Sequence, residues 1–423
     1  MSAVDHLEES APPSRLSTPP AARPVLLATG LLLVASNLRV GVASVGPVVA
    51  DIQDHIGVGP IAVGALTSIP VLAFGLFAFA APTLIRRTGL HRLLGLAMLV
   101  LLGGILLRLH PSILALFAGT VLVGAAIAVS NVIMPAAVKE GFPQRTGLMM
   151  GLYSTALFVG AALASGLTVP LATATGGDWR TALACWSIPV AVAAVVWMPQ
   201  MLRRPGNTGR GRVAAPRGAG EPEFRALLTD PTAIAVTIFM GAQSTAYYAT
   251  LAWLPALLQD AGMTAAEAGW MLAFTAVPGT VASLITPVIA RRIRPVWLPM
   301  LLAGAMTATA YAGLVTHAVS GAYLWMALLG IGQGASLSLG LSYIVWRSPD
   351  VHHTGQLSTM AQGFGYLLAS LGPLSLGALH AVTDDWVGPI AALCALLTAQ
   401  LIAGAVASRE RHILVAPGES GPR

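Results

Sequence analysis

The sequence predicts an all-α integral membrane protein, with twelve transmembrane helices arranged as two parallel six-helix repeats. Three observations carry this. Apolar residues make up 56% of the 423 and charged residues only 9%, where a soluble domain averages about 25% charged. The chain repeats apolar runs of about 20 residues or more, the length of a helix that crosses a bilayer core. Its two halves also match each other at a nearly constant offset. The net charge of +6 does not point to nucleic acid. The arginines sit in short clusters between apolar runs, without the interleaved aromatic residues that single-strand binders use.

Residues 1–23 are rich in Pro, Ser and Ala and lack an apolar core, so they are expected to form a disordered cytoplasmic tail rather than a signal peptide. The first bundle spans 24–199, with apolar runs at 24–50, 60–85, 93–109, 112–138, 147–172 and 181–199. Residues 200–230 are dominated by Gly, Pro and Arg and read as a flexible cytoplasmic linker. The second bundle spans 231–407, with runs at 231–257, 268–290, 296–316, 322–346, 357–382 and 387–407, and 408–423 form a second cytoplasmic tail. With the N-terminus inside, 20 of the 23 Lys and Arg residues fall on the cytoplasmic side. Only Arg108 and Arg180 lie toward the outside, and Arg39 lies in neither compartment. This asymmetry sets both termini in the cytoplasm and the protein in the cytoplasmic membrane.

Shifted by 208 residues, Pro47 falls on Pro255, Pro70 on Pro278, Gly124 on Gly332, Lys139 on Arg347, and Thr146-Gly147 on Thr354-Gly355. A shift of 207 matches Asp178-Trp179 to Asp385-Trp386, and one of 205 matches Pro82 and Arg86-Arg87 to Pro287 and Arg291-Arg292. Each half has an even number of spans, so both copies enter the membrane from the same side. Such parallel repeats, related by an axis along the membrane normal, are tied to alternating access, with the binding site near mid-membrane between them.

Arg39 lies just past the middle of the first span, where a charge costs roughly 2.5–3.5 kcal/mol on the insertion scale. It therefore faces protein or a water-filled cavity. No Asp or Glu lies deep in any span, so the missing counter-ion points to an anionic or electron-rich solute that comes and goes. Arginine's planar fork suits small oxyanions. The 208 offset sets Tyr247 opposite Arg39, with Gln243 four residues earlier on the same helical face. Gln362 and Tyr366 share a face in the eleventh span, and Gln333 and Asn131 complete the polar set. Each has a plainer role available as a helix-to-helix hydrogen bond. Asn37 is about 200° around the helix from Arg39 and is not expected beside it. The run "GIGQG" at 330–334 reads as close helix packing, since it lacks the Lys-Ser/Thr of a phosphate loop.

Cys185 and Cys394 fall within apolar spans and read as packed thiols. With them, His317 and His380 are scattered, so neither an enzyme nor a metal or cofactor site is expected. Lys139 and Arg347, with Arg86 and Arg291, read as cytoplasmic loop anchors. A titratable group for proton coupling is found only at the outer mouth, in Asp51, Asp54 and His55. The expected partners are a small-molecule solute and the lipid bilayer, with no nucleic acid, and the protein is expected to be a monomer.

The stretch "APTLIRRTGLHR" (81–92) resembles the major facilitator signature between helices 2 and 3, with Arg87 and Gly89 kept and Arg86 standing where that signature has an acid. "SNLRVGVASVGPVV" (36–49), "VIMPAAVKEGFPQRTGLMMGLYSTAL" (132–157), "LAWLPALLQDAGM" (251–263) and "AQGFGYLLASLGP" (361–373) are similar to the branch of cyanate permeases and 2-nitroimidazole transporters. The resemblance runs over essentially all twelve spans. It implies the major facilitator fold and a secondary transporter for small compounds, and Arg39 in the first span is consistent with a small anion such as cyanate. The alternative it leaves is efflux of small drugs or heterocycles, and a transporter-like sensor that binds without moving its cargo is a third reading.

Overall fold

The structure, a computed structural model, describes residues 22–48, 52, 55, 60–176, 178–202 and 222–414. Helix α1 (Ala22–Ala43) leads to a single 3₁₀ turn at Gly46–Val48. It is followed by α2 (Pro60–Ala78), α3 (Ala81–Thr88), α4 (Leu90–Leu107), α5 (Ile113–Gly141), α6 (Thr146–Ala174), α7 (Trp179–Cys185) and α8 (Ser187–Leu202). The second half holds the short α9 (Pro222–Leu227), then α10 (Pro231–Asp260), α11 (Ala265–Ala290) and α12 (Leu298–His317). It ends with α13 (Ala322–Trp346), α14 (Val351–Thr383) and α15 (Val387–Ala407).

Helices dominate because a bilayer offers backbone groups no other partner. Hydroxyls within the spans bond back to the preceding turn, as Ser130 does to the Ala126 carbonyl at 2.8 Å and Thr359 to that of Gly355 at 2.9 Å. Helix starts carry acceptors: Asp230 takes the Ala233 N–H at 2.9 Å, and Thr264 with Glu267 closes a capping box on α11.

Among the described residues, ten helices are long and apolar enough to cross a membrane, and the bent pair α2–α3 makes an eleventh. The 30-residue α10 is the twelfth by length. Gln243, Ser244, Thr245, Tyr247 and Tyr248 lower its apolar content, and these same residues matter below.

In the first bundle α1 packs on α6, α8 and α5, while α5 also meets α2 and α4. In the second, α13 packs on α11 and α12, and α10 on α14 and α15. The bundles meet through α6 with α11 and α13, α2 with α14, and α5 with α13 and α14. Along α6 the contacts run from Gly147, against Pro287 and Arg291, through Gly151 on Leu284, to Phe158 near Gly279. They extend from the end bearing Lys139, Arg291 and Arg347 to mid-helix. The bundles are closed together at this basic end.

The structure corrects two expectations and adds a detail to a third. The second span is not one helix over 60–85: Ile69–Ala78 and Ala81–Thr88 are bent by 58°. Pro82 lies in the first turn of α3, where it has no N–H to continue the ladder of α2. Arg86 and Arg87 therefore ride on the last turn of α3. Arg108 is not directed outward but is 2% exposed, and its Nη1 donates to the Gly41 carbonyl at 2.8 Å. That carbonyl belongs to the last turn of α1, which has no helical donor of its own. The start of the expected C-terminal tail, up to Leu414, packs against the second half. Ile413 is buried and its N–H donates to the Arg347 carbonyl at 2.8 Å, while Leu414 N–H donates to Asp230 at 3.0 Å. The expected N-terminal tail up to residue 21, the linker residues 203–221 and the tail from 415 onward lie outside the described residues.

Two glycine contacts set how closely helices approach. A Cβ on Gly160 of α6 would overlap the Ser36 carbonyl of α1, and one on Gly334 of α13 would overlap the Gly279 carbonyl of α11. Gly334 belongs to the "GIGQG" run, so that run serves helix packing. Gly160→Ala should lower the unfolding midpoint in detergent, at a cost of about 1–3 kcal/mol. Gly166→Ala, on the same helix with open space around it, should leave the midpoint unchanged or raise it. Equal effects would contradict the close approach.

Candidate functional site

Arg39 sits one turn before the end of α1, and α1 is held in place by α6 and α8. Asn37, two residues earlier, points the other way and donates to the Leu33 and Pro189 carbonyls at 2.8 and 3.2 Å. Arg39 crosses the gap between the bundles. Its Nη1 donates to the Tyr248 hydroxyl on α10. Its guanidinium carbon stands 5.7 Å from the centre of the Tyr248 ring and 5.8 Å from that of Tyr247. Both distances are within cation–π range. Tyr366 on α14 is also within hydrogen-bonding reach of Arg39.

Aromatic rings from four helices wall this position. Phe74 of α2 meets Tyr366 edge-on at 5.4 Å, Tyr248 meets Tyr366 at 6.4 Å, and Phe158 of α6 meets Tyr247 at 6.4 Å. A polar knot lies beside them. Tyr153 of α6 donates to Asn131 Oδ1 of α5 at 3.1 Å. Gln362 Nε2 of α14 donates to the Asn131 carbonyl at 2.8 Å and to Ser358 Oγ at 2.7 Å. Gln362 Oε1 is buried without a partner.

Asn131, Tyr153, Tyr248, Gln362 and Tyr366 are buried, whereas Arg39 and Tyr247 keep part of their surface accessible despite their depth. Among the described residues no carboxylate pairs with Arg39; its partners are neutral hydroxyls. In a site of low dielectric such a cation attracts an anion far more strongly than it would in water. The surrounding rings give planar groups a stacking surface.

The structure thus gathers Arg39, Tyr247, Tyr366, Gln362 and Asn131 around one point. It does not bring Gln333 there: its Nε2 donates to Thr250 Oγ1 at 3.2 Å inside the second bundle, beside Tyr311. Gln243 is buried on α10 and accepts from Ser244 at 3.4 Å. Tyr247 faces Arg39 with its ring, while the bonded hydroxyl is that of the next residue, Tyr248. Sequence reasoning missed Tyr248, Tyr153 and Phe74. An offset of 209 rather than 208 reaches Tyr248 from Arg39, and Tyr153 is the only tyrosine before residue 247.

The expected loop anchors divide. Arg86 donates to Thr83 of its own helix at 3.1 Å and is exposed, as is Arg87. Gly89 makes the α3–α4 turn with φ +82°, a conformation that favours glycine. Lys139, by contrast, crosses to the second bundle and donates to the Val345 carbonyl at 3.0 Å and to that of Ser348. Arg291 reaches Thr146 of the first bundle at 3.4 Å, and Arg347 donates to the Ser408 carbonyl at 3.2 Å. Of the residues considered for coupling, His55 is exposed beside the Trp179 ring. Asp51 and Asp54 lie outside the described residues.

Comparison with known proteins agrees with this architecture. A family profile described as the Major Facilitator Superfamily matches residues 30–373. Over 391 residues the chain is 37% identical to an uncharacterized transporter, YycB, of Bacillus subtilis, covering 92% of this chain and 94% of that one. It is 32% identical to a 2-nitroimidazole transporter of Escherichia coli, covering 92% and 97%. With the cyanate transport protein CynX of Escherichia coli the identity is 28%, covering 84% and 90%.

A double-mutant cycle tests the central contact. Tyr248→Phe should destabilise the protein by about 1–2 kcal/mol, because it leaves a buried guanidinium N–H without an acceptor. Combined with Arg39→Gln it should cost less than the sum of the two. Tyr247→Phe, which removes a hydroxyl not bonded to Arg39, should show a smaller loss. Additive behaviour of Arg39 and Tyr248 in thermal unfolding would sink the pairing.

Proposed function

The chain belongs to the Major Facilitator Superfamily, and on that premise we propose that it carries a small anionic or planar polar solute, cyanate-like in size and charge, across the cytoplasmic membrane by alternating access. The observation that carries this reading is Arg39: a partly accessible cation reaching from one bundle to the other, with tyrosine hydroxyls and rings and no described carboxylate as partners. Such a charge is neutralised best by a solute that binds and leaves. Tyr248, Tyr366 and Tyr247 orient the solute, and Asn131 and Gln362 join the two bundles beside it. The cargoes named for the relatives, cyanate and 2-nitroimidazole, are both small and planar, which supports the size and shape of the site.

In this proposal the basic end faces the cytoplasm, as the distribution of Lys and Arg requires. The present conformation is then closed toward the cytoplasm, and the solute reaches Arg39 from the opposite side. Release follows when Lys139, Arg291 and the α6–α11 contacts part and the bundles rock over. Exchange, facilitated movement, or coupling through Asp51, Asp54 or His55 are distinguished by their response to an imposed proton gradient.

The ring of Phe74, Phe158, Tyr247, Tyr248 and Tyr366 favours a second reading, export of uncharged heteroaromatic compounds. These stack on such rings and need little from the guanidinium.

In proteoliposomes, counterflow of labelled cyanate or another small planar anion should be present in the native protein. Arg39→Gln should reduce it about tenfold or more, since an anion then enters the site without its cation. Unchanged anion flux in Arg39→Gln would overturn the anchor role. Export of a nitroimidazole from cells that survives this substitution would select the second reading.

A further inference from the structure

At the basic end, between the bundles, lies a cavity of about 460 Å³ that plays no part in holding the proposed cargo. Lys139 and Thr146 of the first bundle line it, and Arg291, Arg294, Arg347 and His412 of the second line it with Glu410. Four Lys and Arg side chains thus face one carboxylate. Glu410 is already committed, pairing with Arg294 at 2.6 Å. Asp350, which lies near Lys139 but outside the lining, accepts from the backbone N–H of His353 at 2.9 Å and contacts its ring at 2.8 Å. Lys139, Arg291 and Arg347 are left with neutral acceptors.

Their hydrogen bonding is also incomplete. Lys139 directs donors to two backbone carbonyls, those of Val345 and Ser348, and an ammonium has three. Arg347 is only 8% exposed, uses Nη2 on the Ser408 carbonyl, and keeps a buried Nε with no partner. An unmet donor on a buried guanidinium is unfavourable unless a ligand or water satisfies it. The positive field reaches neighbouring groups: partial burial, Lys139 and Arg347 together hold the His412 imidazole below its usual range.

The geometry points to a second anion site here, one that takes a phosphate group. A tetrahedral oxyanion has enough acceptors for Lys139, Arg291 and Arg347 at once. The cavity is several times larger than one phosphate, so it accommodates a phospholipid headgroup or a free phosphate with its substituent. Because its cations come from both bundles, the site is complete only while the basic end is closed. Occupancy therefore shifts the population toward the closed form, and the anion acts as a brake on the transport cycle.

The test uses the full-length protein in phosphatidylcholine nanodiscs, with inorganic phosphate compared against chloride at matched ionic strength. Phosphate should raise the unfolding midpoint by roughly 2–4 °C. In Arg291→Gln, an exposed position whose loss leaves the core intact, the rise should fall to less than half, and Lys139→Gln should do the same. Nanodiscs containing phosphatidylglycerol separate the sources. A midpoint already raised, with no further response to phosphate, assigns the site to a lipid headgroup; an unaltered response assigns it to free phosphate. No response to either phosphate or phosphatidylglycerol, or an equal response in both variants, overturns the site. The readout is unfolding rather than flux, so it stands apart from whether the cargo assignment holds.

Discussion

A guanidinium with no carboxylate partner among the described residues, held deep between two apolar bundles, is the constraint around which the centre of this protein is arranged. Arg39 would be destabilising on a helix facing lipid. It is tolerated because α1 is turned so that the side chain leaves its own bundle and reaches Tyr248 and Tyr366 on α10 and α14. Those hydroxyls solvate the charge without neutralising it. The rings that carry them cover its faces, and Phe74 and Phe158 extend the wall. The polar content of α10 follows from the same need: it is the span that meets the charge.

How the bundles come together depends on small residues and on backbone acceptors. Gly147 and Gly151 let α6 lie directly on α11, and Asn131 offers its carbonyl to Gln362 across the interface. Lys139 completes the closure at the basic end by capping carbonyls near the end of α13. These are contacts of modest strength, each worth about 1–2 kcal/mol or less in a membrane interior. A transporter needs an interface of this kind, since two conformations must stay within a few kcal/mol of each other. Gly160 and Gly334 set the spacing within each bundle rather than between them.

The two groups of cations differ in what surrounds them. Arg39 has rings and hydroxyls around it, surroundings that in the proposed function suit a small planar solute. Lys139, Arg291 and Arg347 border a cavity lined by backbone carbonyls and a single committed carboxylate, which favours a larger, more highly charged group. In the two proposals, the first holds the cargo and the second an anion that favours the closed state.

Composition, the one-sided distribution of Lys and Arg, and the 208-residue self-match are properties of the linear chain, so the sequence alone determined an all-helical membrane fold of the major facilitator type and Arg39 as the anomalous charge. The resemblance in 36–49 and 132–157 determined the family. Only the tertiary structure decided which hydroxyl meets Arg39. A slip of one residue turns a helix face by about 100°, so an offset that already varies by three residues along the chain could not decide between Tyr247 at 208 and Tyr248 at 209. Nor could it assign Gln333 to its own bundle or turn Arg108 inward onto the Gly41 carbonyl. The bend at Pro82 and the basic cavity were likewise out of reach. Both depend on how helices far apart in sequence pack side by side, and a hydropathy pattern carries no record of which faces will touch.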